Sequence, residues 1–258
     1  MGKSPDPAKR VAAAVLIIGD EILSGRTQDV NLNAIARFLG AHGVDLAEAR
    51  VVGDNPADII EAVNALRARY DYLFTTGGIG PTHDDITADC IAEAFGVALV
   101  EDAEVVAEMG ARLGQPVNAA RRRMARFPVG SAKVRNPVAG PPGFQIGNVF
   151  VLAGVPAIMR GMLDDIGPRL EGGAVVVSRT LRVDGSGEGA LAAPLEAVAK
   201  AHPDMSLGSY PFFNADGHGS NLVVRGRDPA EVDRALDELI AALRAEGIDR
   251  LALPEAEA

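Results

Sequence analysis

Tyr72-Leu73-Phe74-Thr75-Thr76-Gly77-Gly78-Ile79-Gly80-Pro81-Thr82-His83-Asp84-Asp85 decides the reading of this chain. An apolar, aromatic run ending in two threonines reads as a buried strand, and three glycines in four positions force the backbone to turn sharply after it. A helical pattern follows, with Ile86, Cys90, Ile91, Ala94 and Phe95 on one face. Upstream, Val11 to Ile18 is continuously apolar, as a parallel strand buried on both faces must be, and stops at Gly19. Leu32, Ile35, Ala36 and Leu39 mark a helix, Asp45 to Val52 a second strand, and Pro56 the first turn of a helix carrying Ile59, Ile60, Val63 and Leu66. Strand, helix, strand, helix, strand, glycine turn and helix is the order of a doubly wound α/β sheet.

Further along, residues 103–127 are expected to be helical and to carry a basic stretch, Arg121 to Arg126. Asn136-Pro137-Val138-Ala139-Gly140-Pro141-Pro142-Gly143 can only be a rigid loop, and a hairpin spans Phe144 to Leu152 before a helix that ends near Leu170. A boundary is predicted at Glu171-Gly172-Gly173. The expected organisation is a disordered lead-in over 1–10, an α/β domain over 11–170, and a smaller α+β subdomain over 174–258 with the order βαββα.

Composition limits the partners. Of 258 residues, 48% are hydrophobic, and 25 Lys and Arg face 35 Asp and Glu for a net charge of −10. Such a chain does not neutralise a phosphate backbone or an anionic membrane surface, so neither nucleic acid nor membrane is expected as partner. A single cysteine, Cys90, excludes an internal disulfide framework and a thiolate zinc site. No cleavage site follows the Val11–Ile18 run, so a cytoplasmic protein is expected, and a homo-oligomer.

Ligands of doubly wound sheets sit beyond the carboxyl ends of the strands, which points to the loops Gly19 to Asp29, Gly53 to Pro56 and Thr75 to Asp85. The glycine turn has neither the Walker spacing nor the dinucleotide fingerprint. Its backbone N–H groups are suited to cradle phosphate or a polar ring. Two carboxylates beside such a cradle repel an anion unless a divalent cation, expected to be Mg²⁺, sits between them. Asp84 and Asp85 are therefore candidate metal ligands, with Asp54 as a third ligand or the base for water. Asp54 and Asp84 or Asp85 can equally be helix caps, and Asp20 and Glu21 either bind metal or a polar ring at the edge of the pocket or sit inert in solvent.

Taken in order, Gly19-Asp20-Glu21-Ile22-Leu23-Ser24-Gly25, Gly53-Asp54-Asn55, Thr76-Gly77-Gly78-Ile79-Gly80-Pro81-Thr82-His83-Asp84-Asp85, Asn136-Pro137-Val138 and Gly154-Val155-Pro156 resemble the MoaB/Mog-type molybdopterin-binding fold. More narrowly they resemble the N-terminal part of competence/damage-inducible protein A; the likeness spans about residues 12–170, and eukaryotic FAD synthases carry a related domain. The resemblance implies a three-layer α/β sandwich with a mostly parallel sheet. It also implies a small-molecule nucleotide or pterin held by the Thr-Gly-Gly loop, and Asp54 and Asp85 as catalytic residues. Gly19, Asp20, Glu21, Thr76, Gly77, Gly78, Gly80, Asn136 and Pro137 are the expected ligand-binding positions.

One branch of these proteins handles molybdopterin or its adenylylated form in molybdenum cofactor biosynthesis; the other is associated with metal-dependent cleavage of a nucleotide pyrophosphate such as ADP-ribose or FAD. Ile79 and Asp84 stand where the cofactor branch has Thr and Arg, and a carboxylate in place of a cation favours the pyrophosphatase branch. The deamidase domain often fused to such proteins is not expected in a sequence running to Ala258.

Overall fold

The computed structural model describes residues 10–214 and 217–254; the expected lead-in lies, but for Arg10, outside them. Contacts divide the chain into two compact units, Met1–Gly173 and Ala174–Ala258.

The first unit runs β1 (Val11–Ile18), α1 (Asp20–Leu23), α2 (Asn31–Ala41), β2 (Val44–Val52), α3 (Pro56–Arg69), β3 (Tyr72–Thr76) and α4 (Thr87–Phe95). It continues with β4 (Leu99–Glu101), α5 (Ala103–Leu113), α6 (Ala119–Arg123), β5 (Arg126–Pro128), β6 (Ala132–Val134), β7 (Gly143–Ile146), β8 (Val149–Leu152) and α7 (Pro156–Ile166), then a short 3₁₀ turn, Gly167–Arg169. The main sheet has the order β2-β1-β3-β8-β7-β6, parallel from β2 to β8 and antiparallel at β7 and β6.

Strand β1 shows why three layers form. Side chains alternate across a strand, so Ala14, Leu16 and Ile18 pack with Ile59, Leu66 and Ile91 from α3 and α4. Val11, Ala13, Val15 and Ile17 face the other way, onto Ile35 and Leu39 of α2 and Met159, Met162 and Ile166 of α7. Cys90 lies in the first of these cores, where burial pushes its thiol up to about 11.

The helix expected over 103–127 is two helices and a strand. Helix α5 ends at Gly114 in the left-handed region (φ 65°), Asn118 caps α6 through its side chain to the Arg121 N–H, and β5 then pairs with β4. Gly114, Pro116 and Asn118 are stop and start signals, and they outweigh the apolar periodicity around them. The basic stretch is largely a salt-bridged surface: Arg122 pairs with Glu101 and Arg126 with Asp89 at 2.8 Å.

The second unit contains β9 (Val177–Asp184), α8 (Glu188–Ala201), β10 (Ser206–Asn214), β11 (Gly217–Gly226), α9 (Pro229–Ala245) and β12 (Leu251–Ala252). Its antiparallel sheet, ordered β10-β11-β9-β12, packs Leu181, Val183, Leu222 and Val224 against Leu191, Val198, Leu236 and Leu239 of the two helices. Among the described residues no helix is long and apolar enough to cross a membrane.

Candidate functional site

The glycine turn is pinned from both sides. Gly77 (φ +108°) donates to the Leu152 carbonyl at 3.3 Å, and a Cβ there would collide with the Ile18 carbonyl oxygen. Gly78 (φ +66°) leaves no room for a Cβ either, because the Thr87 hydroxyl occupies that space. Thr87, fully buried at the start of α4, donates through Oγ1 to the Gly77 carbonyl and through its N–H to the Gly78 carbonyl, both at 3.0 Å. Behind the turn, the buried Asn31 amide donates to Thr76 Oγ1 at 2.9 Å and to the Gly154 carbonyl at 2.7 Å, while Thr76 Oγ1 donates to Ala153 at 3.1 Å. Strand ends β3 and β8 and the first turn of α2 are thus one hydrogen-bonded body.

The carboxylates come from adjacent strand ends. Because β1 lies beside β2, the loops after them meet: the Asp20 N–H donates to Asp54 Oδ2 at 3.0 Å and the Asp54 N–H to Asp20 Oδ1 at 3.4 Å. Asp54 does not cap α3; Asn55 does, accepting from the Ala57 N–H at 2.9 Å. Burial raises the Asp54 pKa; the Asp20 N–H offsets part of this, while the carboxylates of Asp20, Glu21 and Asp84 raise it further. All three candidate loops therefore bring negative charge to one edge of the sheet.

Neither Asp84 nor Asp85 caps α4, whose cap position is Ile86. Asp85 Oδ2 accepts from the Thr82 N–H at 2.8 Å and the Thr82 hydroxyl at 2.6 Å, closing a turn and leaving Oδ1 for other partners. Asp84 is exposed, and its pKa is lowered by the Thr82 hydroxyl, a backbone N–H and nearby His83. Among the described residues no group of three His, Cys, Asp or Glu side chains is arranged to hold a metal ion by itself. Mg²⁺ commonly takes only one or two carboxylates and completes its shell with phosphate oxygens and water. The mutually repelling Asp20–Asp54 pair fits that smaller donor set.

The expected ligand positions distribute over separate hollows. Glu21, Thr76 and Gly77 line one of about 70 Å³, beside Asn31. Gly78, Gly80 and Asp85 line a second, about 20 Å³, with Arg123 and Pro142 opposite. Asn136 belongs to neither. Its side chain donates to the Ala139 and Pro141 carbonyls and accepts from the Val138 and Ala139 N–H groups, so it holds its own loop in shape. Pro137 lies against α7 at Gly161. Asn31 and Thr87 were not among the expected positions; their only sequence signal is a small polar residue at the start of an otherwise apolar-faced helix.

Residues 14–172 match the family described as "Probable molybdopterin binding domain", and residues 175–252 match "FAD synthase, middle domain". A CinA-like protein of Gemmatimonas aurantiaca is 36% identical over 245 residues, covering 89% of this chain and 57% of that protein. A protein of Archaeoglobus fulgidus is 34% identical over 226 residues, covering 87% and 94% respectively. The chain spans about half the length of most of the curated relatives it matches. Among solved structures, a CinA protein of unknown function from Thermoplasma acidophilum superimposes with a TM-score of 0.59 at 32% identity, covering 62% of this chain and 98% of that one.

Proposed function

The chain belongs to the molybdopterin-binding domain family, as a CinA-like member, and on that premise we propose that it hydrolyses a nucleotide pyrophosphate of the ADP-ribose or FAD class with a divalent metal. The observation that carries this reading is the reciprocal Asp20–Asp54 pair. Two carboxylates drawn together, one with a raised pKa and neither used as a helix cap, support a site whose charge a cation would relieve. Asp20 and Asp54 would hold the metal, with Asp84 adding negative charge and Asp85 Oδ1 available from the glycine turn.

When bound, Mg²⁺ supplies charge neutralisation for the pyrophosphate and a more acidic water. The glycine turn would offer backbone N–H groups to the phosphates. Thr87 and Thr82 fix the shape of that turn before substrate arrives. Asp85, with Oδ1 available, would accept the proton of the attacking water. The water oxygen bonds to one phosphorus, the bridging P–O bond breaks, and two phosphate monoesters leave.

A second reading, binding of molybdopterin or its adenylylated form, is favoured by one detail. Asn31 Oδ1 is buried without a hydrogen-bond partner beside Thr76 and Gly154, an acceptor that a ring amide or amine could satisfy if the hollow opened. The test is a panel of ADP-ribose, FAD, NAD and dinucleoside polyphosphates with Mg²⁺ or EDTA, beside pterin fluorescence of protein from a molybdenum-replete host. Metal-dependent monophosphate release supports hydrolysis; pterin retention without turnover replaces it with the second reading.

A further inference from the structure

We propose that the chain carries a second anion site, separate from the aspartate-lined edge, which binds phosphate monoesters without metal. It is a hollow of about 210 Å³ between α5, β6 and the proline-rich loop. By the same measure one water needs only about 10–15 Å³, so the space admits a multi-atom ligand. Four cationic side chains, Arg112, Lys133, Arg135 and Arg169, line it against two carboxylates, Glu108 and Asp165, in a protein whose net charge is −10.

The cations divide into two classes. Arg169 is a fixed wall: its guanidinium donates to Asp165, to the Lys133 carbonyl at 2.8 Å and to Gln145 at 3.2 Å. Lys133 is held by Asp102 at 2.6 Å and Glu104 at 3.7 Å. Arg112 and Arg135 form no ion pair among the described residues. Arg112 spends one N–H on the Gly140 carbonyl at 3.3 Å, which ties the end of α5 to the loop; the Arg135 N–H donates to Asp165 at 3.1 Å, which fixes its backbone and leaves its guanidinium to the hollow. Two uncompensated planar guanidiniums on a braced frame match a phosphate's paired oxygens.

The frame is also preorganised. Asn136 satisfies the loop's own carbonyls and N–H groups, so the loop needs no ligand to take this shape. Val105, Met109, Pro141 and Pro142 add apolar surface beside the cations, which suits a phosphate attached to an organic group, a nucleotide or sugar phosphate, over a bare ion. Glu108 is a lining carboxylate that forms no ion pair among the described residues, and it opposes anion binding.

The experiment is calorimetric titration of the full chain with AMP, ribose 5-phosphate and inorganic phosphate, in EDTA at fixed ionic strength. Saturable binding is expected, tighter for the two organic phosphates. Arg112→Gln and Arg135→Gln each weaken it by about tenfold or more, the effect of a charged hydrogen bond. Glu108→Gln tightens it, a gain that misfolding does not produce, and Asp54→Asn leaves it unchanged. Failure of hydrolysis leaves this result standing, because no turnover is measured. Absence of saturable binding overturns the proposal. So does equal affinity in the Arg112→Gln/Arg135→Gln double variant, or loss of binding in Asp54→Asn with the arginine variants unaffected.

Discussion

Replacing Thr87 by Val tests how far the glycine turn depends on a single hydroxyl. The two side chains have nearly the same volume, so the exchange removes one hydrogen bond without opening a cavity. The lost bond is Thr87 Oγ1 to the Gly77 carbonyl, 3.0 Å long, at a residue with no exposed surface. Losing a buried bond and leaving the carbonyl short of a donor costs about 1–3 kcal/mol. For a unit of this size that corresponds to a fall in Tm of about 4–8 °C at the middle of the range. Thermal melting and urea unfolding of wild type, Thr87→Val and Thr87→Ser give the comparison. Ser keeps the hydroxyl and gives up one methyl, about 0.8 kcal/mol, so it should melt lower yet keep its turnover. Thr87→Val should lose both stability and turnover, because the turn no longer holds its shape. A Thr87→Val protein that melts with wild type refutes the tether, as does a Thr87→Ser protein that loses as much turnover as Thr87→Val.

Four other perturbations separate charge from shape. Asp54 has a raised pKa, so its ionisation costs the folded state more than the unfolded one; Asp54→Asn should melt higher than wild type above the folded pKa, with the gap closing as pH falls through that value toward 3.8. Added Mg²⁺ should raise the wild-type Tm and leave that of Asp54→Asn unmoved. Asp85→Asn keeps an oxygen for the Thr82 N–H and hydroxyl, so its unfolding free energy should stay within about 0.5 kcal/mol of wild type while turnover falls by about 100-fold or more. Gly77→Ala meets the Ile18 carbonyl at a positive φ and should cost more than about 3 kcal/mol in urea unfolding, with a soluble but inactive product at low temperature.

Much of this architecture is legible in the chain because β1 is apolar on both faces and each helix after it carries one apolar stripe. Pro56 and Pro229 open helices as their position predicts. The stretch after α5 is misread as helix because Gly114 and Asn118 act through φ and a cap bond that periodicity does not report. At the candidate site the sequence makes Asp84 and Asp85 prominent, since neighbours in the chain are easy to see. The pair the fold assembles, Asp20 with Asp54, is 34 residues apart and is joined only because β1 and β2 are adjacent strands. The hydrogen bonds of Asn136 go to its own loop, which forms one wall of the hollow beside α5. Asn31 and Thr87 act through burial, which depends on what packs over them.

The most direct test is AMP release from ADP-ribose by the purified chain, followed against Mg²⁺ concentration for wild type and Asp54→Asn. The Asp20–Asp54 account predicts saturable Mg²⁺-dependent release by wild type, abolished in EDTA and lost in a well-folded Asp54→Asn. Equal release by both proteins, or release that EDTA does not affect, contradicts it.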